Sequence, residues 1–321
     1  MEKTFYLDSY KIREIKLRCS DWARFSVVGY SERTKKERGG GGGGGGGLAY
    51  TCTKLEVSAK AEDAASLNTL DLDLSAIKTV IGTEKLINVK QLLYSSCKLK
   101  NIPEWIKNLK NVEKIYLSTN DIKEIPPWIS ELQQLQYLRL SWNKNLGLGS
   151  LPHFGEKLSS LDISDCDIKA LPEDFFQHQL KKVNLNGNRN LLSIPSVNES
   201  LEELNIAICD IQTLPENLFH YGLQKFEVHN NRNLRAIPNI NDNFDTIDLS
   251  GCNNIQTLTN DFFQHRLRKM DLSGKKNLRV IPAVNDCLEE ISLNGCDIQH
   301  LPDNFFKHRL LRVSLKDNQS K

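Results

Sequence analysis

Three histidines recur at one position of a repeated segment, and histidine is a common zinc ligand. His178, His265 and His308 each end a Phe-Phe-x-His stretch. Zinc holds its ligands about 2 Å away, whereas His178 and His265 lie four repeats apart, about 19 Å at strand spacing, and His265 and His308 about 10 Å apart. We therefore expect no metal site and no cofactor, and we assign these histidines to packing before a strand.

A run of nine glycines, residues 39–47, also suggests chemistry, because glycine-rich loops bind phosphate. A P-loop ends in Lys followed by Ser or Thr, but Leu48, Ala49 and Tyr50 follow this run. The tract therefore predicts either a linker or ordered polyglycine between strands. No Ser/His/Asp or Cys/His set has a spacing suited to nucleophilic catalysis. We predict that the protein is not an enzyme.

Composition and charge exclude several classes of protein. The chain is 39% hydrophobic and 26% charged, with a net charge of +2, and its apolar runs fall far short of the ~20 residues of a membrane span. Glu2, Lys3 and Asp8 interrupt any secretory leader. Residues 1–47 hold 10 Lys/Arg against 6 Asp/Glu, an excess of +4 that is too small to indicate a nucleic-acid partner.

One pattern, apolar-x-x-apolar-x-apolar-x-x-Asn/Cys, occurs twelve times at intervals of 21–23 residues. Within the pattern, apolar positions alternate with variable ones, which predicts a short strand buried on one face. The regular spacing of the copies predicts a solenoid. The copies begin at Leu67, Val89, Val112, Leu135, Leu158, Leu180, Leu201, Leu223, Phe244, Leu267, Leu288 and Leu310. We expect the Asn or Cys at the ninth position to bond to the turn and to the next repeat. A proline after the following apolar pair predicts that the rest of the repeat is irregular.

The cysteines at the ninth position of the repeats indicate the cellular compartment of the protein. Cys166, Cys209, Cys252 and Cys296 occupy the ninth position of alternate repeats, 43 or 44 residues apart. Two repeats span about 10 Å, beyond the reach of a disulfide. We predict buried, reduced thiols, which favour the cytoplasm, with leaderless export or a virion or surface assembly as alternatives.

Segments such as Leu135-x-x-Leu138-x-Leu140-x-x-Asn143 resemble those of leucine-rich repeat proteins, over residues 67–321. The resemblance implies an α/β solenoid, a right-handed horseshoe with a parallel sheet on its concave face and a mostly irregular or 3-10 convex side. Residues 1–66, with the polyglycine tract 39–47, form a small β-rich segment that weakly resembles glycine-rich β modules of phage and bacterial surface proteins. We expect strands at Phe5–Leu7, 12–17, 25–30 and 48–59.

The candidate site lies on the concave face, where we expect the fifth and seventh positions of each repeat to face outward. Tyr116, Tyr137, Arg139 and Trp142 gather around the third and fourth repeats, and these residue types are enriched at binding hot spots. Further polar residues would add specificity: Asp162, Glu227, His229, Asp248 and Asp271.

The predicted function is protein binding on that face, because solenoids expose long surfaces. One alternative is a structural subunit of a larger phage-like or surface assembly, with contacts through residues 1–66 or the uncapped C-terminal edge. Another is the targeting region of a longer effector enzyme. A protein is the expected partner in the first reading, and its identity does not follow from the sequence.

Overall fold

The computed structural model describes the strand segments 3–4, 16–18, 27–32, 51–57, 69–71 and 79–81, residue 83, and residues 86–318 apart from 150, 256–257, 259–260, 304 and 308–309. The predicted strand Phe5–Leu7 and the polyglycine tract lie outside this range. The chain divides into two compact units. Unit 1 comprises Met1–Leu140 with Pro152–Leu158, and unit 2 comprises Ser141–Leu151 with Ser159–Lys321.

The described residues of unit 1 contain nine strands: β1 (Lys3–Thr4), β2 (Lys16–Arg18), β3 (Val27–Glu32), β4 (Thr51–Val57), β5 (Thr69–Asp71), β6 (Thr79–Ile81), β7 (Gln91–Leu93), β8 (Lys114–Tyr116) and β9 (Tyr137–Arg139). Strands β5, β7, β8 and β9 pair in parallel, as predicted for the repeats. β2 joins β5 in antiparallel fashion, and β4 pairs with β3 and with β6. Sheet pairing thus crosses the predicted boundary at 66/67, which stays a prediction.

Unit 2 contains two parallel sheets. The first holds β10 (Ser160–Asp162), β11 (Lys182–Asn184), β12 (Glu203–Asn205) and β13 (Lys225–Glu227). The second holds β14 (Thr246–Asp248), β15 (Lys269–Asp271), β16 (Glu290–Ser292) and β17 (Arg312–Ser314). Each strand covers the third to fifth positions of a repeat, so the predicted parallel-sheet solenoid is confirmed.

In the residues described from 86 to 318, short 3-10 helices and no α-helices make up the regular part of the half of each repeat opposite the strand, as expected. They are Glu104–Asn108, Pro127–Glu131, Phe175–Gln177, Glu216–Phe219, Asp261–Gln264 and Phe305–Lys307. Prolines precede several of them and stop the extended chain. Over the described parts of the chain, no helix has the length and apolar character needed to cross a membrane.

In each unit, side chains at equivalent positions of the repeats form an apolar core. The fourth-position side chains Leu92, Ile115 and Leu138 are fully buried in unit 1, and Leu161 and Val183 are nearly so in unit 2. The 3-10 segments close the core from the other side, where Phe175 and Phe176 meet edge to face with ring centroids 4.9 Å apart. No single repeat buries these groups alone, so stability depends on stacking.

Asparagines at the ninth position link successive turns. The Asn188 side chain donates to Ile163 O and Leu185 O, and its Oδ1 accepts the N–H groups of Cys166 and Ile168 at 3.0 Å each. The bond to Leu185 stays within the turn of the same repeat, as expected, but the other three run to the preceding repeat, whereas the sequence suggested the next one. The reason is that turn N–H groups point toward the following repeat, so their acceptor must come from there, as in Asp165 N–H to Asn186 O at 2.8 Å.

Cysteines at the same position act as buried thiol donors. Cys209 Sγ donates to Leu185 O at 3.3 Å, and Cys252 Sγ donates to Val228 O at 3.2 Å. Burial raises the pKa of the Cys166 and Cys209 thiols to about 12, so both stay protonated. Cys166, Cys209, Cys252 and Cys296 are all buried free thiols.

The eighth position adopts a left-handed backbone in each of the repeats that starts at Val89 or later. Glycine meets this demand at Gly187, with φ +76°, and three other repeats also use glycine. We expect Gly187→Ala to lower the free energy of unfolding by about 1–2 kcal/mol, since a left-handed Cβ is strained. The new Cβ would also lie 2.4 Å from Asp165 Oδ1.

Urea denaturation would measure this loss, with Gly149→Ala as the matched control. Gly149 has no positive φ, and a Cβ there would meet nothing within 4 Å. Equal stabilities for the two variants would contradict the assigned strain.

Candidate functional site

Two tyrosines form the centre of the candidate site on the strand face of unit 1. Tyr116 ends β8 and Tyr137 begins β9, and their ring centroids lie 5.3 Å apart at 48°. Both side chains are half-buried, and Arg139 beside them is exposed. The strand register sets Tyr116 opposite Arg139, so the parallel pairing itself brings the three predicted residues together.

The surroundings of this pair on β7–β9 are apolar and cationic. Leu93 lies opposite Tyr116 on β7, and Lys114 lies opposite Tyr137 on β8. Both side chains are partly exposed. The third and fifth positions of these three strands carry no carboxylate, so the face combines two aromatic rings with positive charge. The sequence reading missed Leu93 and Lys114, although the repeat register would have found them.

Trp142 belongs to unit 2 and lies in the turn after the strand, not on the strand face. It occupies the left-handed eighth position with φ +61°, and its side chain is 51% exposed. The Lys144 Nζ lies 5.0 Å from the centre of its ring, a cation–π contact. This backbone conformation belongs to the repeat and not to Trp142 alone, since Thr119 and Ile208 adopt it at the same position.

Asp162 differs from its expected outward position, because only 7% of the residue is exposed. Its Oδ1 accepts the N–H of Ser164 at 3.1 Å and the hydroxyl of Ser164 at 2.7 Å. Asp248 and Asp271 form the same turn with Ser250 and Ser273, at 2.8 and 2.9 Å, but remain partly exposed. These aspartates therefore also stabilise the end of each strand.

The seventh position does not face outward throughout. Ser141, Ser164 and Ala207 are at most 6% exposed. The strand ends at the fifth position, so the alternation that would carry the seventh side chain outward does not continue into the turn. His229 is the predicted site residue at this position, and it is partly exposed.

Glu227 lies on the strand face of unit 2 within a small polar network. Its carboxylate contacts Lys225 Nζ at 2.6 Å and accepts a hydrogen bond from Asn205 Nδ2 at 2.6 Å. Cross-strand ion pairs, such as Lys182 with Glu203 at 2.7 Å and Lys269 with Glu290 at 3.0 Å, cover the same face. These charged side chains have oppositely charged neighbours. The strand face of unit 2 is therefore polar, whereas that of unit 1 is aromatic and cationic.

The repeat geometry agrees with the comparisons to known proteins. A family model described as leucine rich repeat matches residues 87–144. Residues 87–144 therefore carry leucine-rich repeats, and the repeat strands beyond them have the same fold. No curated protein matches it.

Solved leucine-rich repeat structures share the fold of this chain. A leucine-rich repeat protein from Bacteroides eggerthii is 19% identical with a TM-score of 0.57, covering 75% of this chain and 54% of its own. The leucine-rich repeat domain of the type III effector XCV3220 (XopL) is 19% identical with a TM-score of 0.52, covering 72% and 78%. The Leptospira interrogans protein LIC12759 is 20% identical over 81% of this chain and 86% of its own, with a TM-score of 0.42. Identities at this level show the fold alone.

Proposed function

We propose that the chain is a non-enzymatic binding module and that the strand face of unit 1 captures a partner protein. The observation that carries the proposal is the half-exposed Tyr116–Tyr137 pair with Arg139 beside it. Tyrosine and arginine supply much of the energy at protein interfaces, since they combine a large apolar area with directional polar groups. Leucine-rich repeat folds commonly serve as protein-binding modules.

A protein fits this surface better than a nucleic acid does. Only Lys114 and Arg139 bring positive charge to the third and fifth positions of β7–β9, and phosphate backbones are bound by larger sets of cations. The aromatic pair and Leu93 favour contact with an apolar group of the partner. The positive charges of Lys114 and Arg139 favour acidic or neutral residues around that group. The partner is therefore expected to present an apolar side chain to the two rings.

Capture of partners with the full chain, followed by mass spectrometry, would supply the ligand for a quantitative test. We expect Tyr116→Ala to weaken binding of that partner by about 2 kcal/mol, roughly thirtyfold in Kd, because the ring loses its contact area. Tyr137→Ala should have an effect of similar size. Titration calorimetry would measure both.

Tyr221→Ala is the matched control, since Tyr221 is an exposed tyrosine (41%) in the other unit. Its binding should equal that of the parent. An unchanged Kd for both Tyr116→Ala and Tyr137→Ala, with folding retained, would rule out this face as the site.

The predicted residues of unit 2 form a separate part of the proposal. Trp142, Glu227, His229, Asp248 and Asp271 have exposed or partly exposed side chains, and Trp142 presents the largest apolar area among them. Trp142→Ala tests its contribution independently of the tyrosine pair. Asp162 is expected to contribute through the turn of its strand and not by direct contact.

A further inference from the structure

A lysine on the strand face of unit 1 lacks the ion pair that its equivalents in unit 2 form. Lys114 occupies the third position of its repeat, as do Lys182, Lys225 and Lys269 in unit 2. Each of those three contacts a glutamate, with Nζ to carboxylate oxygen distances of 2.7, 2.6 and 3.0 Å. Over the described part of the chain, no carboxylate oxygen lies within 4.0 Å of Lys114 Nζ.

The register of the strands accounts for this difference. Lys182 lies opposite Glu203 of the next strand, so the parallel pairing itself supplies the carboxylate. Lys114 lies opposite Gln91 on one side and Tyr137 on the other. Neither neighbour carries a negative charge, so the ammonium group of Lys114 is not neutralised across the sheet.

The glutamate next to Lys114 in sequence is engaged elsewhere. Glu113, at the second position, contacts Lys90 Nζ at 2.9 Å. Lys181 and Glu202 form the same second-position pair in unit 2, at 2.7 Å. The second position is therefore charge-matched in both units, and the difference between the units is confined to the third position.

The same face places apolar area beside this positive charge. Tyr116 follows Lys114 by two residues on β8 and shares its face of the strand, and Tyr137 lies directly opposite Lys114. The two rings contact each other with centroids 5.3 Å apart. Two residues of a strand span about 6.6 Å, and neighbouring strands lie about 4.8 Å apart. A cation and an aromatic pair thus stand side by side at a spacing that one short peptide can match.

We propose that the strand face of unit 1 binds an extended acidic segment of the partner, in which an Asp or Glu stands two residues from an apolar side chain. The carboxylate pairs with Lys114, and the apolar side chain lies against Tyr116 and Tyr137. Residues two apart in an extended chain point to one side with the same spacing of about 6.6 Å. This inference rests on the proposed function and adds the chemistry of the partner to it.

Charge complementarity selects an acidic segment over a basic one. The third and fifth positions of β7–β9 carry no carboxylate, so a partner lysine or arginine would meet Lys114 with nothing to offset the repulsion. Like charges across an interface disfavour the wrong partner. The ion pairs of unit 2 already neutralise its third-position lysines, so this preference belongs to unit 1.

Selection from a phage-displayed library of random peptides on the immobilised full chain tests the preference. We expect enrichment of Asp or Glu two residues from an apolar residue. Lys114→Glu should enrich Lys or Arg at that place instead, because the charge on the face is reversed. Lys123→Glu is the matched control, since Lys123 is an exposed lysine of unit 1 outside its strands and the change in net charge is the same. It should keep the acidic preference.

A labelled copy of the most enriched peptide then gives Kd by fluorescence anisotropy. We expect Lys114→Gln to raise Kd about fivefold, the size of a partly exposed ion pair. Replacing the acid of the peptide by its amide should raise Kd equally, with little further loss when both changes are combined. Glutamine suits the strand, because Gln91 occupies the same position on β7.

The outcomes separate this inference from the proposed function. Enrichment of apolar peptides with no acidic preference would overturn the inference, and loss of their binding in Tyr116→Ala would leave the proposed function standing. Peptides that bind Tyr116→Ala as tightly as the parent would overturn both. A selection without any enriched sequence would overturn the inference, because it requires that a linear segment binds.

Discussion

Asn188→Leu is expected to lower the free energy of unfolding by about 3 kcal/mol, because leucine cannot accept or donate a hydrogen bond. Asn188 is 0% exposed, and four backbone groups depend on its side chain. Two of them, the N–H groups of Cys166 and Ile168, would be left buried without this acceptor. Leucine has the same number and branching of side-chain heavy atoms as asparagine, so the substitution leaves no cavity.

Urea unfolding followed by circular dichroism would measure the loss, and Asn190→Ala provides the control. Asn190 is exposed and donates to Asp167 Oδ1 at 2.6 Å, a bond on the surface. Its removal should change stability by less than about 1 kcal/mol. Comparable losses in the two variants would show that the buried hydrogen bonds of Asn188 do not provide the expected stabilisation.

Lys275→Asn is expected to raise the free energy of unfolding by about 2 kcal/mol. Lys275 occupies the ninth position, where Asn188 and Asn231 sit in the equivalent repeats, and is only 2% exposed. Its ammonium donates to Leu249 O, but lysine has no acceptor. Asparagine would restore an acceptor of the kind that Asn231 Oδ1 offers to Ile211 N–H at 2.9 Å.

The gain should depend on pH in a defined direction. Burial lowers the pKa of Lys275 below its ordinary value of 10.5, although Cys252, Cys296, Asp271 and Asp248 oppose that shift. Below the folded pKa both states hold the proton, and the cost of burying the charge opposes folding in full. As the pH rises toward 10.5, only the unfolded chain keeps the proton, so the cost fades.

Unfolding measured from neutral pH to about pH 10 should therefore show the advantage of Lys275→Asn shrinking as pH rises. Lys275→Met removes the charge without adding an acceptor and should show the same pH trend with a smaller gain. Burial raises the pKa of the Cys252 and Cys296 thiols and the Lys275 charge lowers it, so both substitutions change these thiols in the same way. The comparison of Lys275→Asn with Lys275→Met is therefore free of that change. A pH-independent difference would mean that Lys275 is not buried as a charged group.

The repeat length and the Asn/Cys alternation predicted the parallel strands well. Every strand from β7 onward falls on the third to fifth positions, as the period-two ends of Leu135–Asn143 and its equivalents indicate. Buried reduced cysteines also followed from spacing alone, since two repeats exceed disulfide reach. The local sequence pattern is enough to predict the strand positions because every repeat follows the same backbone path.

The candidate site was less predictable, because side-chain direction changes within a few residues of the strand end. Trp142 and Arg139 are close in sequence, yet one lies in a left-handed turn and the other on the strand face. Asp162 reads as an exposed acid, but its carboxylate bonds to the turn at Ser164. Residue type and spacing do not reveal which polar group the backbone will use.

The sequence by itself determined the stacked parallel sheet, the buried ninth-position side chains and the location of the aromatic residues among the repeats. Only the tertiary structure decided that Tyr116 and Tyr137 contact each other and that Asn188 serves the preceding turn. The physical reason is that periodic burial depends on position within one repeat, whereas contacts and exposed edges depend on the direction in which neighbouring repeats stack.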